Sequence, residues 1–425
     1  MLDRTKQPDF KEITNLVYPK AEIKKLDNEI PVYLIDAGTE DILKIEFIFE
    51  AGVWYQKKPL SSSITNSLLS SGTKNLTEQQ IAEKIDFYGA YISLQSDRDY
   101  ATISLFTLNK YLKETIAVIK EIVSNPIFPE KEFETEINIK KNQFELDLTK
   151  VKTLASRKFI SSVFGESHPY GTLANADDFD KLKTSDLKEF YQKYYTVDNC
   201  KILVAGKLYK DTFNIINDAF GDNWSIKSFK SDNEFRLNTS SKKEQLILKE
   251  DAVQSALRIG CNMFSRKHPD YAGMQVLNTV LGGYFGSRLM KNIREDKGYT
   301  YGIGSVVYPM KHEGYFSIVS EVNAKVCRNA IDEIYKELSI LSSEKISDEE
   351  LLLVKNYIKG DLLKGFDGPF NLSEKYKIII TNNLDETYFK KFMDLINTIN
   401  SDNLMKLSQK YLDTNNLMSI IAGKC

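Results

Sequence analysis

The residues that could carry chemistry in this 425-residue sequence are few, because it contains only three histidines. His168 lies in Ser-His-Pro-Tyr-Gly, His268 in Lys-His-Pro-Asp and His312 in Lys-His-Glu-Gly. No two of them are three or four residues apart, so no helix can present two imidazoles to one metal ion. Each is followed by a turn-forming or charged residue, which favours a position in a loop. The histidines therefore argue against a zinc enzyme that is complete within this chain.

The cysteines offer no second route to a metal site. Cys200, Cys261, Cys327 and Cys425 are far apart, and no two of them form the C-x-x-C pair that is typical of cysteine zinc sites. Their number and spacing predict neither a zinc site nor a disulfide framework.

A serine-rich segment, Ser61-Ser-Ser-Ile-Thr-Asn-Ser-Leu-Leu-Ser-Ser-Gly-Thr73, raises the question of a serine nucleophile. A nucleophilic serine needs a neighbouring base and a group that orients the base. None of the three histidines lies near Ser63 or Ser67 in the sequence. Small polar residues on a helix are the simpler interpretation of this segment.

A second polar segment contains an arginine and a tyrosine at a spacing that suits binding of a carbonyl oxygen. Arg294 falls in the last turn of a predicted helix, Gly298 ends that helix, and a strand is predicted to begin near Tyr299. Arg294 and Tyr301 are seven residues apart across this corner, which can bring a guanidinium and a phenol together. The alternative is a surface arginine and a tyrosine that packs in the sheet.

The elements that must position these residues are arranged as an internal duplication. Three blocks of the first half recur in the second half in the same order, at offsets of 217, 215 and 214 residues. We infer that the two halves share one fold. In the block with offset 217, Gln192-Lys-Tyr194, Asn199 and Ala205-Gly-Lys207 recur as Gln409-Lys-Tyr411, Asn416 and Ala422-Gly-Lys424.

Each half mixes strands and helices without strict βαβ alternation, which predicts an α+β fold with sheets covered by helices. Thr77-Glu-Gln-Gln80 is a capping box that begins a helix, and Gly89 ends it. A polar, serine-rich stretch predicts an exposed linker over residues 226–243. The predicted domains are therefore residues 1–225 and residues 244–425.

Composition excludes several classes of protein. A length of 425 residues is too long for one core of typical size. The formal net charge is −2, so we expect no nucleic-acid partner and no anionic membrane surface. No apolar run approaches a membrane span, and the first residues lack the apolar core of a signal peptide. These features predict a cytoplasmic protein.

The serine-rich segment, the duplication and the Arg294–Tyr301 segment together resemble the pitrilysin/insulinase family of zinc metallopeptidases, which includes the mitochondrial processing peptidase subunits. That family carries H-x-x-E-H on a helix before a Gly-Thr dipeptide, and a distal glutamate completes its zinc site. Aligning on Gly72-Thr73 places serine at both histidine positions and asparagine at the glutamate position. The distal ligand falls near Gln143, with Glu145 close by. The degenerate zinc-motif positions are Ser63, Asn66, Ser67 and Gln143.

Hydroxyls and amides are weak zinc ligands and asparagine cannot act as a base, so we expect no metal and no other cofactor in this chain. Leu281-Gly-Gly-Tyr-Phe-Gly-Ser-Arg-Leu289 and the segment from Asn292 to Tyr301 resemble the family's arginine–tyrosine region. The resemblance implies that Arg294 and Tyr301 bind the substrate backbone and stabilise the oxyanion. It also implies two homologous α/β-sandwich halves that form half of a clam-shell.

Loss of the zinc motif with retention of the arginine–tyrosine pair resembles the non-zinc subunit of the family's two-chain bacterial peptidases. The resemblance implies a homologous partner that bears H-x-x-E-H and zinc, and a peptide substrate. The chain would be inactive alone. The alternative is a non-catalytic peptide-binding or assembly subunit with no role in proteolysis.

Overall fold

The computed structural model describes residues 16–225 and 235–425 of the chain. The strands of the first half are β1 (Glu22–Lys25), β2 (Pro31–Asp36), β3 (Ile42–Phe49), β4 (Tyr91–Ser96), β5 (Ala101–Leu108) and β6 (Cys200–Gly206). Its helices are α1 (Ser61–Ser67), α2 (Glu78–Phe87), α3 (Leu112–Ser124), α4 (Glu130–Leu148), α5 (Val151–Phe164), α6 (Ala176–Lys181), α7 (Thr184–Tyr194) and α8 (Thr212–Phe220).

The second half repeats much of this order, without counterparts of β1 and α8 among the described residues. Its strands are β7 (Glu244–Leu248), β8 (Gln254–Met263), β9 (Ile303–Pro309), β10 (Gly314–Asn323) and β11 (Met418–Gly423). Its helices are α9 (Tyr271–Asn278), α10 (Cys327–Ser343), α11 (Asp348–Lys364), α12 (Pro369–Thr381), α13 (Tyr388–Thr398) and α14 (Ser401–Tyr411). Two π-helical stretches, Thr279–Gly283 and Met290–Asp296, follow α9.

Two sheets with the same topology confirm the predicted fold class. The first sheet has the order β1-β2-β6-β3-β5-β4 and the second has the order β7-β11-β8-β10-β9. In each sheet one pair is parallel, β2 with β6 and β7 with β11, and the other neighbours are antiparallel. Without β1, the first sheet has the strand order and directions of the second.

Matching residues occupy matching positions in the two halves. Tyr194 is the last residue of α7, and Tyr411 is the last residue of α14. Gly206 and Gly423 end β6 and β11 with φ of 141° and 129°, a conformation that favours glycine. A Cβ at Gly206 would lie 2.2 Å from the carbonyl oxygen of Ile42, so the backbones approach too closely for any side chain. The duplication inferred from the sequence is therefore present in the fold.

The domain limits at residues 225 and 244 stay a prediction. Half of the predicted linker, residues 226–234, lies outside the described residues. In the other half, the backbone N–H groups of Asn238 and Ser240 donate to the carbonyl oxygens of Phe164 and Ser162. This part of the linker therefore lies along the end of α5.

Each half supplies one helix to the sheet of the other half. Helix α5 packs on β8 and β11 through Ala155, which contacts Ala256 and Ala422. Helix α12 packs on β2 and β6, where Leu372 and Tyr376 belong to one apolar cluster with residues of the first sheet. Because α5 and α12 follow α4 and α11 at corresponding points of the duplication, this exchange is reciprocal. It leaves each sheet covered on both faces.

A buried ion-pair network joins α12 to β3. Lys44 and Glu46 expose 7% and 3% of their side chains, and Lys44 Nζ lies 3.1 Å from Glu46 Oε2. Lys377 Nζ of α12 lies 2.8 Å from Glu46 Oε1, and Glu374 pairs with both lysines. Charges buried from water need close partners, so this network fixes α12 against the first sheet.

The turn between β9 and β10 inserts into the first half. Met310 lies in the first half's apolar core, and Lys311 Nζ is 2.5 Å from Glu50 Oε1. The His312 ring stacks on Trp54 with centroids 3.9 Å apart. Burial and the charge of Lys311 lower the pKa of His312 to about 4, so the ring is neutral at neutral pH.

The disulfide expectation from the sequence is wrong. Cys327 and Cys425, which are 98 residues apart, form a disulfide between the start of α10 and the residues after β11. Long-range packing of a helix beside a strand end brings them together, and spacing along the chain carries no signal for such a pair. Cys200 and Cys261 are buried and free.

Within the described ranges, no helix combines the length and the hydrophobicity that crossing a membrane requires.

Candidate functional site

The degenerate zinc-motif positions lie on α1, but their side chains do not converge. Ser63 is exposed, and its hydroxyl donates to the carbonyl oxygen of Leu60. Asn66 is buried, and its Oδ1 accepts a hydrogen bond of 2.9 Å from the hydroxyl of Tyr195. The Ser67 hydroxyl donates to the Glu136 carboxylate of α4. Each polar group of the motif therefore has a different partner.

Helix α4 presents a carboxylate to this site that sequence reasoning missed. Glu136 lies seven residues before Gln143 and so shares its face of the helix. Lys140 Nζ lies 3.4 Å from Glu136 Oε1, so the carboxylate binds both Ser67 and a lysine. Gln143 is exposed and hydrogen-bonds to Asp147, whose pKa is lowered first by Lys150 and second by this bond. Helical spacing backward from Gln143 could have revealed Glu136.

The residues around α1 do not fit a zinc ion. In residues 16–225 and 235–425, no group of three His, Cys, Asp or Glu side chains could hold a metal. The local donors are two hydroxyls, one amide and the Glu136 carboxylate, which already pairs with a lysine. Zinc binds imidazole, thiolate and carboxylate groups, and this set supplies only one of them.

We expect the purified chain to carry far less than one zinc ion per molecule and to cleave no peptide alone. The reason is that Ser63, Asn66 and Ser67 replace the groups that would bind the metal and activate water. Elemental analysis of the chain, beside a relative with intact H-x-x-E-H purified in the same way, provides the measurement. About one zinc per chain, lost on mutating the three positions to alanine, would contradict this expectation.

Arg294 lies on the π-helical stretch Met290–Asp296, which the buried Ile293 anchors in the second core. Gly298, with φ of 65°, ends the stretch as the sequence predicts. The Arg294 guanidinium stands 4.5 Å above the centre of the Phe285 ring, and one third of its side chain is exposed. This contact orients the arginine, whose Nη1 also lies 4.0 Å from Glu295 Oε1.

Tyr301 lies on a turn and not in the strand, because β9 begins at Ile303 and not near Tyr299. The hydroxyl of Thr300 donates to the carbonyl oxygen of Glu321 over 2.7 Å, and Ser320 donates to the carbonyl oxygen of Gly302. These bonds tie the turn to β10. The Tyr301 side chain is 95% exposed, so it does not pack in the sheet.

The structure brings Arg294 and Tyr301 to one open pocket of about 680 Å³. Gln254 at the start of β8, Asn323 at the end of β10 and Glu295 also line the pocket. A guanidinium and a phenol are both hydrogen-bond donors of the kind that carbonyl oxygens and oxyanions accept. The pocket belongs to the second half, whereas α1 belongs to the first.

Two descriptions of one protein family match successive parts of the chain. The family described as insulinase, peptidase family M16, matches residues 44–166. The family described as peptidase M16 inactive domain matches residues 181–358. This chain belongs to the M16 insulinase family.

Similar M16 proteins include some that are named as proteases and some that are named as non-peptidases. The chain is 23% identical over 351 residues to the uncharacterized zinc protease YmxG of Bacillus subtilis, covering 82% of this chain and 83% of that one. It is 26% identical over 243 residues to the non-peptidase homolog YmxG of Helicobacter pylori, covering 56% of this chain and 55% of the other. Relatives of this M16 chain thus include a protein named as a non-peptidase.

A solved M16 structure has the same fold over nearly the whole chain. The peptidase M16 inactive domain from Pseudomonas fluorescens superposes with a TM-score of 0.88 at 22% identity, covering 95% of this chain and 98% of that one. This likeness supports the duplicated fold.

Proposed function

We propose that this M16 chain is the non-zinc subunit of a heterodimeric peptidase and supplies Arg294 and Tyr301 to a peptide bound by a zinc-bearing partner. The observation that carries the proposal is the placement of both side chains on one open pocket. Tyr301 is 95% exposed on a turn that hydrogen bonds hold to β10. A fixed turn that projects an aromatic side chain into solvent suits contact with a second molecule.

The two side chains have distinct tasks in this proposal. The planar fork of Arg294 donates charge-assisted hydrogen bonds to a carbonyl oxygen of the peptide. Tyr301 donates a second, neutral hydrogen bond to the same oxygen as negative charge develops on it. The zinc belongs to the partner, because the groups around α1 do not fit that ion. The chain therefore completes a site that it cannot form alone.

A second candidate is a non-catalytic peptide-binding or assembly subunit. A chain of complex III2 from Candida albicans has this fold, with a TM-score of 0.75 and 95% of each chain covered. Under this alternative, the chain would bind its partner through the same fold, and Arg294 and Tyr301 would not affect cleavage. The cytoplasmic location inferred from the sequence stays a prediction.

Mixing this chain with a homologous H-x-x-E-H chain tests the proposal. We expect sedimentation to show a one-to-one complex, and the mixture to cleave a peptide faster than the two separate chains together. Absence of a complex would overturn the proposed function. A complex whose cleavage rate does not depend on this chain would favour the assembly subunit.

A further inference from the structure

A cavity of about 340 Å³ lies among the helices of the second half, apart from the pocket of Arg294. Its walls come from α9 and the π-helical stretch after it, and from α11, α12 and α13. At Arg266 it meets a cleft of about 550 Å³ that reaches the edge strands β4 and β9. Cavities of this size are typical of small-ligand sites.

Two cationic side chains line the cavity without an ion pair. Within the described ranges, neither Arg266 nor Lys375 forms an ion pair with a carboxylate. The Arg266 guanidinium stacks at 5.0 Å on Tyr271, which fixes its position. Burial lowers the pKa of Lys375; Asp361 opposes this shift, and Arg266 adds to it. Asp361 also lines the cavity, but among the described residues it forms no ion pair with either cation.

The wall of the cavity also carries an unpaired acceptor. Asn278 is 7% exposed, and its Oδ1 has no hydrogen-bond partner. The neighbouring Gln275 amide cannot supply one, because it donates to the Tyr271 hydroxyl and to the carbonyl oxygen of Val307. Buried polar atoms are nearly always paired. The Oδ1 atom has almost no accessible surface, so a ligand donor in the cavity would reach it after a rotation of the Asn278 side chain.

One part of the cavity wall is apolar and aromatic, and this part suits a hydrophobic side chain. The residues that form this wall are Ile358, Leu362, Ile378, Phe389 and Phe392.

We propose that this cavity binds the carboxylate end of an apolar amino acid or peptide. Arg266 and Lys375 bind the carboxylate, the adjacent N–H donates to Asn278 Oδ1, and the apolar wall holds the side chain. The proposal does not depend on the peptidase function, because all of these groups lie within this chain and away from the Arg294 pocket.

Calorimetric titration of the full chain with N-acetyl-L-phenylalanine tests the site without any partner. We expect saturable binding, and binding of the matching amide weaker by about 10- to 100-fold, because the amide lacks the charge that the two cations require. Free phenylalanine tests whether the ligand is an amino acid, and glycyl-phenylalanine tests whether it is a peptide. Binding of either compound supports the proposal. No binding by any of these acids, or equal binding of acid and amide, would overturn it.

The variant Arg266→Gln should weaken binding of N-acetyl-L-phenylalanine by about 10- to 100-fold, because it removes one charged donor. The exposed neighbour Lys267 does not line the cavity, so Lys267→Gln is the matched control and should bind as the natural chain does. Unchanged affinity in Arg266→Gln would contradict the site. If that variant fails to fold, the proposal is tested by comparing the binding of the acid and of the amide to the natural chain.

Discussion

Replacing Arg294 by alanine is expected to lower peptide cleavage by the assembled heterodimer by about 10²-fold, and Tyr301→Phe should lower it by a similar factor. Each substitution removes one donor from an oxygen that gains charge in the transition state. Both side chains are on the surface of this chain, one third exposed and 95% exposed, so neither substitution should alter folding. The measurement is kcat/KM for a fluorogenic peptide, with complex formation checked separately by sedimentation.

A matched control for Arg294→Ala is available on the same helical stretch. Lys291 is exposed and does not line the pocket, so Lys291→Ala should leave cleavage unchanged. If Lys291→Ala and Arg294→Ala reduce cleavage equally, the loss would reflect a general change of surface charge and would contradict the assigned role of Arg294. The effects of Arg294→Ala and Tyr301→Phe should be less than additive, because both donors act on one oxygen.

The second large effect is expected in stability, at the network that joins α12 to the first sheet. Glu46→Gln should lower the free energy of unfolding by about 3–5 kcal/mol, since it removes one partner from a buried ion-pair network. Glu46 is 3% exposed and lies 3.1 Å from Lys44 Nζ and 2.8 Å from Lys377 Nζ. The measurement is the midpoint and slope of urea unfolding.

Glu374→Gln is the control for this prediction. Glu374 pairs with the same two lysines but is 50% exposed, so water compensates for its loss. We expect a change of about 1 kcal/mol or less, as for exposed ion pairs. Equal losses in the two variants would show that burial of Glu46 does not determine the stability of this network.

Local signals in the sequence predicted the elements well. Thr77 and Gln80 form the predicted capping box of α2. Gly89 ends α2 with φ of 60°. The repeated blocks predicted the shared topology of the two sheets, because equal spacing in a duplication preserves the order of elements.

Features that depend on distant contacts were not predictable. Helices α5 and α12 pack on sheets whose strands lie about 100 or more positions away in the chain. The Lys44–Glu46 network depends on the distant Lys377. The disulfide joins Cys327 to Cys425. Neither periodicity nor residue spacing encodes such pairs. Glu136 is a different case, because it shares a face of α4 with Gln143 and helical spacing could have indicated it, although its contact with Ser67 depends on the packing of α4 near α1.

At the candidate site, the sequence-based prediction of the local backbone around Arg294 and Tyr301 was partly wrong. The arginine lies on a π-helical stretch, and β9 begins four residues later than predicted, at Ile303. The hydrogen bonds from Thr300 to Glu321 and from Ser320 to Gly302 hold the residues before β9 in a turn. Tyr301 is therefore exposed, whereas a position within the strand would have allowed it to pack.

The most direct test of the proposed function is the cleavage rate of a heterodimer that contains the double variant Arg294→Ala, Tyr301→Phe. The variant and the natural chain are each assembled with the zinc-bearing partner, and kcat/KM is compared at equal heterodimer concentration. We predict a fall of about 10²- to 10³-fold with complex formation unchanged. Equal cleavage by the two heterodimers would contradict the account and leave this chain as a subunit of binding or assembly alone.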